Sequence, residues 1–167
     1  YFLKNSINKK LLKIFEKEIG SDFRLFFYKH TFQKNLKKTL ELKKKYNLNF
    51  ILVYPNINCS TKKIYSEVRK YNLMIKNDLS KIQSKDKYLQ FLQNETNDLQ
   101  KIVEKKYPKI KKILNLMKIQ KNCLFSRMTG SGSVCFGVFL DIKSAKLSLR
   151  VIQKKLPNYR CTIAKSI

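Results

Sequence analysis

Apolar and polar residues follow a helical period in several segments of this chain. In residues 7–19 the apolar positions recur every three or four residues and so share one helix face, and Gly20 stands where helices commonly end. Ser60 and Thr61 carry side chains that cap helix starts, and Pro108 suits a first helical position. The pattern predicts helices over residues 7–19, 60–69, 87–93, 96 or 97 to 106, 108–119 and 143–155, with the polar residues 71–84 as a loop containing short helical pieces.

Shorter apolar stretches between these segments predict strands. Residues 47–54 form the clearest one, an apolar run that ends at Pro55. Residues 23–28 are an aromatic run, and two further runs flank a glycine-containing turn near residue 130. The predicted strands cover residues 23–28, 35–42, 47–54, 123–128, 134–140 and 158–164.

The order of these elements predicts the fold class. From about residue 49 the chain reads strand, helices, strand, turn, strand, helix, strand, which is typical of an α+β domain with helices packed on one face of an antiparallel sheet. Residues 1–48 supply one helix and two strands, too few elements to bury a core of their own. We therefore expect a domain boundary near residue 48, with residues 1–48 completing another domain and residues 49–167 forming their own.

The charge of the chain is strongly positive but not organised for reading nucleic acid. The 167 residues include 37 Lys and Arg against 11 Asp and Glu, a formal net charge of +26. Only five of the basic residues are arginine, and the lysine pairs fall in separate predicted elements, whereas base recognition favours arginine forks and aromatics on one surface. We expect no nucleic-acid partner, although the positive field should attract anionic small molecules, including nucleotides.

Cysteines and apolar runs limit the other classes of function. None of the four cysteines has CxxC spacing and there is one histidine, so no metal site is predicted. No apolar run is long enough to span a membrane, and the start of the chain has neither an initiator methionine nor a secretory signal. The sequence predicts a cytoplasmic protein with reduced thiols and no membrane partner, whose chain begins inside a longer gene product.

The run from Arg127 to Ser133 carries the most specific chemistry in the chain. Gly130 and Gly132 are two of only four glycines, and they stand between the predicted strands 123–128 and 134–140. Glycine permits positive φ, and successive amide groups in such a turn form a cup for an anion, typically a phosphate. A tight hairpin connection without a ligand is the alternative, and the turn alone does not decide between them.

Five short segments in order resemble one family. They are 19–22 (Ile-Gly-Ser-Asp), 52–56 (Leu-Val-Tyr-Pro-Asn) with 60–65 (Ser-Thr-Lys-Lys-Ile-Tyr), 97–99 (Asn-Asp-Leu), 107–108 (Tyr-Pro) and 128–132 (Met-Thr-Gly-Ser-Gly). Together they resemble the C-terminal two-thirds of the GHMP kinase family, named for galacto-, homoserine, mevalonate and phosphomevalonate kinases. Residues 1–48 would then be the end of an ATP-binding domain and residues 49–167 the family's C-terminal domain.

The resemblance implies an activity and assigns roles. Within the family the segments are most similar to kinases that transfer the γ-phosphate of ATP, with Mg²⁺, to the 2-hydroxyl of a cytidine-diphosphate-linked methylerythritol in isoprenoid synthesis. Asp22 would be the catalytic base, and Thr61 and Tyr65 would bind substrate, with Tyr65 against the cytosine. The turn formed by Thr129, Gly130, Ser131 and Gly132 would lie beside the reacting phosphates, and Asp22 and this turn should face one cavity.

The sequence also departs from the family pattern. The ATP-cradling segment Pro-x-x-x-Gly-Leu-Gly-Gly-Gly-Ser-Ser is absent from these 167 residues, so we expect the chain alone to bind ATP poorly and to lack kinase activity. Phe23-Arg24 replaces the usual Val-Pro after the aspartate, and residues 34–37 replace a Gly-x-Gly-Glu stretch. A different GHMP-type substrate and a basic α+β RNA-binding module remain the alternative functions.

Three assignments have structural alternatives. Asp22 could be a solvated or capping aspartate in a turn. Tyr65 could pack into the core from the inner face of its helix. Asn97 or Asp98 is expected to cap the start of a helix rather than to contact a ligand.

Overall fold

Two compact units make up the chain, and each is described separately. The computed structural model describes residues 9–20, 22–23, 25, 31–35, 38–42, 44–69 and 82–166. The first unit contains the described residues up to Lys45 together with residues 82–84, and the second contains Tyr46 to Arg69 and Lys85 to Ser166.

The first unit holds a helix and a hairpin. Helix α1 spans Lys9–Ile19, as predicted, and Gly20 ends it at a φ of +128°. Strands β1 (Thr31–Asn35) and β2 (Lys38–Glu41) pair antiparallel, with Phe32 opposite Leu40. The predicted strand 35–42 corresponds to β2, whereas the polar pattern of β1, with Phe32 as its single large apolar residue, gave no strand signal.

The strand predicted over residues 23–28 is wrong where the structure describes it. Asp22, Phe23 and Leu25 lie in a 3₁₀ turn, in which the Phe23 N–H donates to the Gly20 carbonyl at 3.1 Å. The Phe23 ring packs edge-on against Phe15 of α1, with ring centroids 5.4 Å apart. The aromatic residue therefore covers the helix instead of pairing in a sheet, and residue 24 and residues 26–30 lie outside the described part.

The second unit is built on a four-stranded antiparallel sheet. Its strands are β3 (Asn49–Tyr54), β4 (Cys123–Met128), β5 (Cys135–Phe139) and β6 (Arg160–Lys165), in the spatial order β4-β5-β3-β6. Since β5 lies antiparallel between β3 and β4, those two strands run parallel to each other, and by the same argument so do β5 and β6. This is the split βαβ arrangement used twice, typical of α+β domains.

Five helices complete the second unit. They are α2 (Thr61–Ser66), α3 (Lys85–Asn94), α4 (Gln100–Lys106), α5 (Pro108–Lys118) and α6 (Ile142–Lys155). Ser60 caps α2 by accepting from the Lys63 N–H, and Pro108 occupies the first turn of α5, both as predicted. Asp141 caps α6, because its carboxylate accepts the Ser144 N–H at 2.7 Å. Hydrogen bonds from the Ser144 N–H and hydroxyl lower the pKa of Asp141.

The two faces of the sheet have separate cores. Ile51 and Val53 alternate along β3 toward the larger cluster, where residues of α4, α5 and α6 pack, and Phe139 is its largest fully buried side chain. On the opposite face Leu89 of α3 packs with Val138 in a smaller cluster. The α+β fold with an antiparallel sheet is therefore confirmed, with α3 as one helix on the second face.

The polar residues singled out in the sequence lie in two places in the second unit. These are the hairpin turn after β4 and the start of α2 after β3. No helix within the described residues is long and apolar enough to cross a membrane.

Candidate functional site

The glycine turn is a tightly closed connection between β4 and β5. The Thr129 N–H donates to the Val134 carbonyl at 2.9 Å, and the Gly132 N–H donates to the Thr129 carbonyl at 3.0 Å. Gly130 has a φ of +53° and Gly132 a φ of +96°, conformations that favour glycine. The turn is thus a hairpin connection, and only the polar groups that these bonds leave unpaired are available to a ligand.

Two successive amides of this turn are free to receive an anion. Within the described part of the chain, the N–H groups of Gly130 and Ser131 make no hydrogen bond, and Thr129 and Gly130 are exposed. Consecutive unpaired N–H groups in a turn with a positive φ attract phosphate or carboxylate oxygens. That this turn contacts a phosphate stays a prediction.

Asn97 holds the turn in place from the segment before α4. Its side-chain amide donates to the carbonyls of Met128 at 3.0 Å and Gly130 at 2.8 Å, while its carbonyl oxygen accepts the Leu99 N–H at 2.9 Å. Helix α4 begins at Gln100 behind Leu99, later than a cap at Asn97 or Asp98 predicts, and the Asn97 oxygen bonds the N–H of the turn that leads into the helix. The Asn97 amide satisfies two carbonyls that belong to the turn and its strand.

Gln100 supports the same strand and was missed in the sequence. Its side-chain oxygen accepts the Met128 N–H at 2.9 Å, and its amide donates to Glu104 at 2.8 Å. The Gln100–Met128 contact joins residues 28 positions apart, so no local pattern predicts it. The motif around residue 97 was the one sequence signal near this support.

The start of α2 meets the turn directly. The hydroxyls of Thr61 and Ser131 lie 2.9 Å apart and share a hydrogen bond. A Cβ atom on Gly132 would lie 3.1 Å from the Cys59 sulfur and 3.0 Å from the Met128 sulfur, so the turn backbone packs closely against the segment before α2. Two of the predicted segments, 60–65 and 128–132, therefore meet at one site in the second unit.

Tyr65 projects from α2 toward solvent. Its side chain is 50% exposed, whereas the neighbouring Ile64 is buried in the larger core. The alternative in which Tyr65 packs into the core is therefore wrong. The exposed phenol ring lies on the helix whose first residue meets the turn, and its contact with a base stays a prediction.

Asp22 lies in the first unit, in the 3₁₀ turn after α1. Its side chain is exposed and makes no hydrogen bond or ion pair with any residue that the structure describes. The role of Asp22 as a catalytic base stays a prediction. That Asp22 and the glycine turn face one cavity stays a prediction.

Burial keeps the thiols of the second unit neutral. It raises the pKa of Cys135 to about 12 and of Cys123 to about 11, and it also raises the pKa of Cys59 beside the turn. These cysteines pack in or against the larger core as small apolar groups. Within the residues that the structure describes, no three His, Cys, Asp or Glu side chains gather closely enough to hold a metal ion.

Substituting alanine at the two glycines of the turn should have unequal effects. Both positions have a positive φ, but only Gly132 lacks room for a methyl group, since a Cβ added at Gly130 would meet no atom within 4 Å. We expect G132A to destabilise the second unit by about 2–4 kcal/mol and G130A by about 1 kcal/mol. Urea unfolding followed by circular dichroism measures both, and equal losses would mean that backbone strain, not the close packing, controls the turn.

The sheet order, the glycine turn and its contact with the start of α2 define a class of protein. The family model of the GHMP kinases C terminal matches residues 73–158, about half of the chain. The chain therefore belongs to the GHMP kinase family.

Individual relatives carry one name. The chain is 33% identical, over 96% of its length, to 4-diphosphocytidyl-2-C-methyl-D-erythritol kinase from Pelagibacter ubique (strain HTCC1062). It is 41% identical to the enzyme of that name from Wolbachia pipientis wMel over 71 residues, which are 42% of this chain and 25% of the relative. It spans 59% of the length of the Pelagibacter protein.

Solved structures support the fold. A crystal structure of 4-(cytidine 5'-diphospho)-2C-methyl-D-erythritol kinase aligns with a TM-score of 0.69 at 16% identity, covering 96% of this chain and 57% of that one. Homoserine kinase from Cytophaga hutchinsonii ATCC 33406 aligns with a TM-score of 0.50 at 14% identity, covering 84% of this chain and 49% of that one. At these identities the alignments establish the shared fold.

Proposed function

We propose that the protein containing this chain phosphorylates 4-diphosphocytidyl-2-C-methyl-D-erythritol on its 2-hydroxyl. In this reaction the hydroxyl oxygen attacks the γ-phosphorus of ATP, the bond between that phosphorus and the β,γ-bridging oxygen breaks, and ADP leaves. The hydroxyl proton passes to a base. The relative from Pelagibacter ubique, which bears the name of this kinase, supports the choice of substrate.

The free amides of the glycine turn are the observation that carries this proposal. Phosphoryl transfer depends mainly on positioning and on stabilising negative charge. The N–H groups of Gly130 and Ser131 are unpaired among the described residues, and Asn97 bonds the Met128 carbonyl before them and the Gly130 carbonyl between them. The turn can therefore hold phosphate oxygens without rearranging.

Asp22 is proposed as the base, and Thr61 as a substrate contact. An exposed carboxylate with no partner among the described residues can orient a hydroxyl and accept its proton. The Thr61 hydroxyl, already bonded to Ser131, can turn toward a ligand that reaches the turn. Mg²⁺, which the family implies, is commonly bound through substrate phosphates and one or two carboxylates.

Removing the ring of Tyr65 tests the cytidine part of the proposal. Stacking of a base on an aromatic side chain contributes about 1–3 kcal/mol. We therefore expect Y65A to weaken the binding of cytidine 5'-diphosphate to this chain by about 5- to 150-fold. Isothermal titration calorimetry at constant ionic strength measures the change.

The conservative variant separates stacking from folding. Y65F keeps the ring, so its affinity for cytidine diphosphate should stay within about twofold of the parent. Saturable binding with this order of affinities supports a cytidine-linked substrate. Equal affinity in Y65A and the parent would remove Tyr65 from the site, and salt-sensitive binding of single-stranded RNA without cytidine diphosphate binding would favour an RNA-binding module instead.

A further inference from the structure

A cleft of about 370 Å³ lies along the outer edge of β4, in the second unit. It extends between the end of α3, the start of α4 and the end of α5. Its walls combine one carboxylate with three cations, and the residues that matter for its chemistry are Glu95, Lys101, Lys118, Ser126 and Arg127. The cleft is separate from the free amides of the glycine turn, which belong to Gly130 and Ser131.

The cleft follows an edge strand whose backbone is already partly capped. In the sheet order β4-β5-β3-β6, β4 has a neighbour on one side only among the strands that the structure describes. Amide side chains occupy its other side, since Gln93 donates to the Leu124 carbonyl at 3.2 Å, Asn97 donates to the Met128 carbonyl and Gln100 accepts the Met128 N–H. These caps prevent another strand from pairing along β4, so the cleft is suited to a compact ligand rather than to an extended peptide.

Between these capping side chains, one backbone position of β4 faces away from β5 and stays open. In an antiparallel pair every second residue directs its N–H and C=O away from the partner strand. Leu124 and Met128 do so, because side chains from outside the sheet bond their backbone groups. Ser126 lies midway between them, so its N–H belongs to the same open edge inside the cleft.

Arg127 is the strongest anion-binding group in the cleft. Its guanidinium is half-buried, lies 4.8 Å from the centroid of the Phe125 ring and donates one hydrogen bond, at 2.9 Å, to the Leu92 carbonyl. It forms no ion pair within the described residues, and burial lowers its pKa, although the negative charge of Glu95 acts in the opposite direction. The remaining N–H groups form a planar fork that matches phosphate oxygens.

Two lysines add to the positive charge of the cleft. Lys101 on α4 and Lys118 at the end of α5 are exposed, and neither forms an ion pair in the part of the chain that the structure describes. Glu95 is the single carboxylate among the lining residues, and it makes no direct bond to Arg127. Three cations against one anion favour a ligand that carries negative charge.

We propose that this cleft is a binding site for a compact phosphate-bearing anion, held by the guanidinium of Arg127, the N–H of Ser126 and the ammonium groups of Lys101 and Lys118. The cleft volume accommodates a phosphate with a small organic group. The Phe125 ring beneath the guanidinium fixes the plane of the fork. This site does not depend on the proposed kinase reaction.

Titration of the chain with inorganic phosphate tests the site. The experiment is ¹H–¹⁵N nuclear magnetic resonance at constant pH and ionic strength, with sodium chloride exchanged for phosphate. We expect saturable shifts of the backbone amides of Ser126, Arg127 and Lys101, and we expect R127Q to raise the Kd for phosphate at least tenfold. The matched control is R150Q, which removes the same charge from an exposed position on α6 and should change the Kd by less than twofold.

Three results would overturn the proposal. They are shifts that never saturate, shifts confined to Gly130–Gly132, and an equal loss of affinity in R127Q and R150Q, which would indicate diffuse attraction by the net charge. If R127Q does not fold, the double variant K101Q/K118Q replaces it, since both side chains are exposed. It should raise the Kd at least threefold with an unchanged circular dichroism spectrum, and an unchanged Kd in this variant would equally refute the site.

Discussion

Replacing Asp22 by asparagine should lower kcat for the proposed phosphorylation of the cytidine-linked substrate by about 10²- to 10⁴-fold, the range typical for loss of a general base. The asparagine keeps the size of the side chain but cannot take the hydroxyl proton. Because phosphate and cytidine contacts lie elsewhere in the proposal, KM should change little. Steady-state coupling of ADP release to an indicator reaction measures both constants.

Glu18 supplies the matched control for this variant. It lies four residues earlier, at the exposed end of α1, so E18Q removes the same charge from the same unit. E18Q should keep at least half of the parental kcat. A D22N protein that folds and retains more than a third of kcat would exclude Asp22 as the base, whereas loss of cytidine diphosphate binding in Y65A would still support the substrate.

The sequence predicted best those elements whose signals are local. The helices around Pro108 and Ser60 began where capping chemistry placed them, and the strands on either side of the glycine turn were confirmed. The turn itself was found from glycine spacing because only glycine adopts the required positive φ without strain. Periodicity and turn chemistry act over a few residues, which is why they can be read from one chain.

The parts of the site that the sequence did not predict depend on distant contacts. Asn97 is a residue type that commonly caps helices. Its side-chain amide nevertheless bonds the carbonyl of Gly130, which lies 33 residues further along the chain. In the same way, the side chain of Gln100 bonds the backbone of the edge strand β4 at Met128. The aromatic run at residue 23 was misassigned because Phe23 finds its partner in α1, which the β propensity of aromatic residues does not anticipate.

The same segment of the chain, at the start of α4, supports both the glycine turn and the end of β4. Asn97 and Gln100 stand three residues apart before and within α4, and both bond the backbone at Met128. The strand end is therefore held by α4 on one side and by β5 on the other. A turn fixed in this way keeps its unpaired amides aligned, so the proposed contact with a phosphate would cost little ordering of the backbone.

Replacing Phe139 by alanine should cost about 3–5 kcal/mol of unfolding free energy, the largest loss of stability expected for a core residue of the second unit. Phe139 is 2% exposed and ends β5 within the larger core. Its ring packs at Gly137, where an added Cβ would lie 3.3 Å from the Phe139 ring and 3.2 Å from the Met117 methyl group. Removing the ring opens a cavity between the sheet and the helices above it.

Leu140, the next residue, provides the control. Its side chain is 53% exposed, and its N–H keeps the bond to the Asn122 carbonyl whatever the side chain. L140A should therefore change the unfolding free energy by less than about 0.5 kcal/mol. Urea titration followed by circular dichroism compares the two variants. A loss below about 1 kcal/mol in F139A would mean that the flexible Met117 side chain refills the space, and that the sheet and α5 are held together by contacts other than this ring.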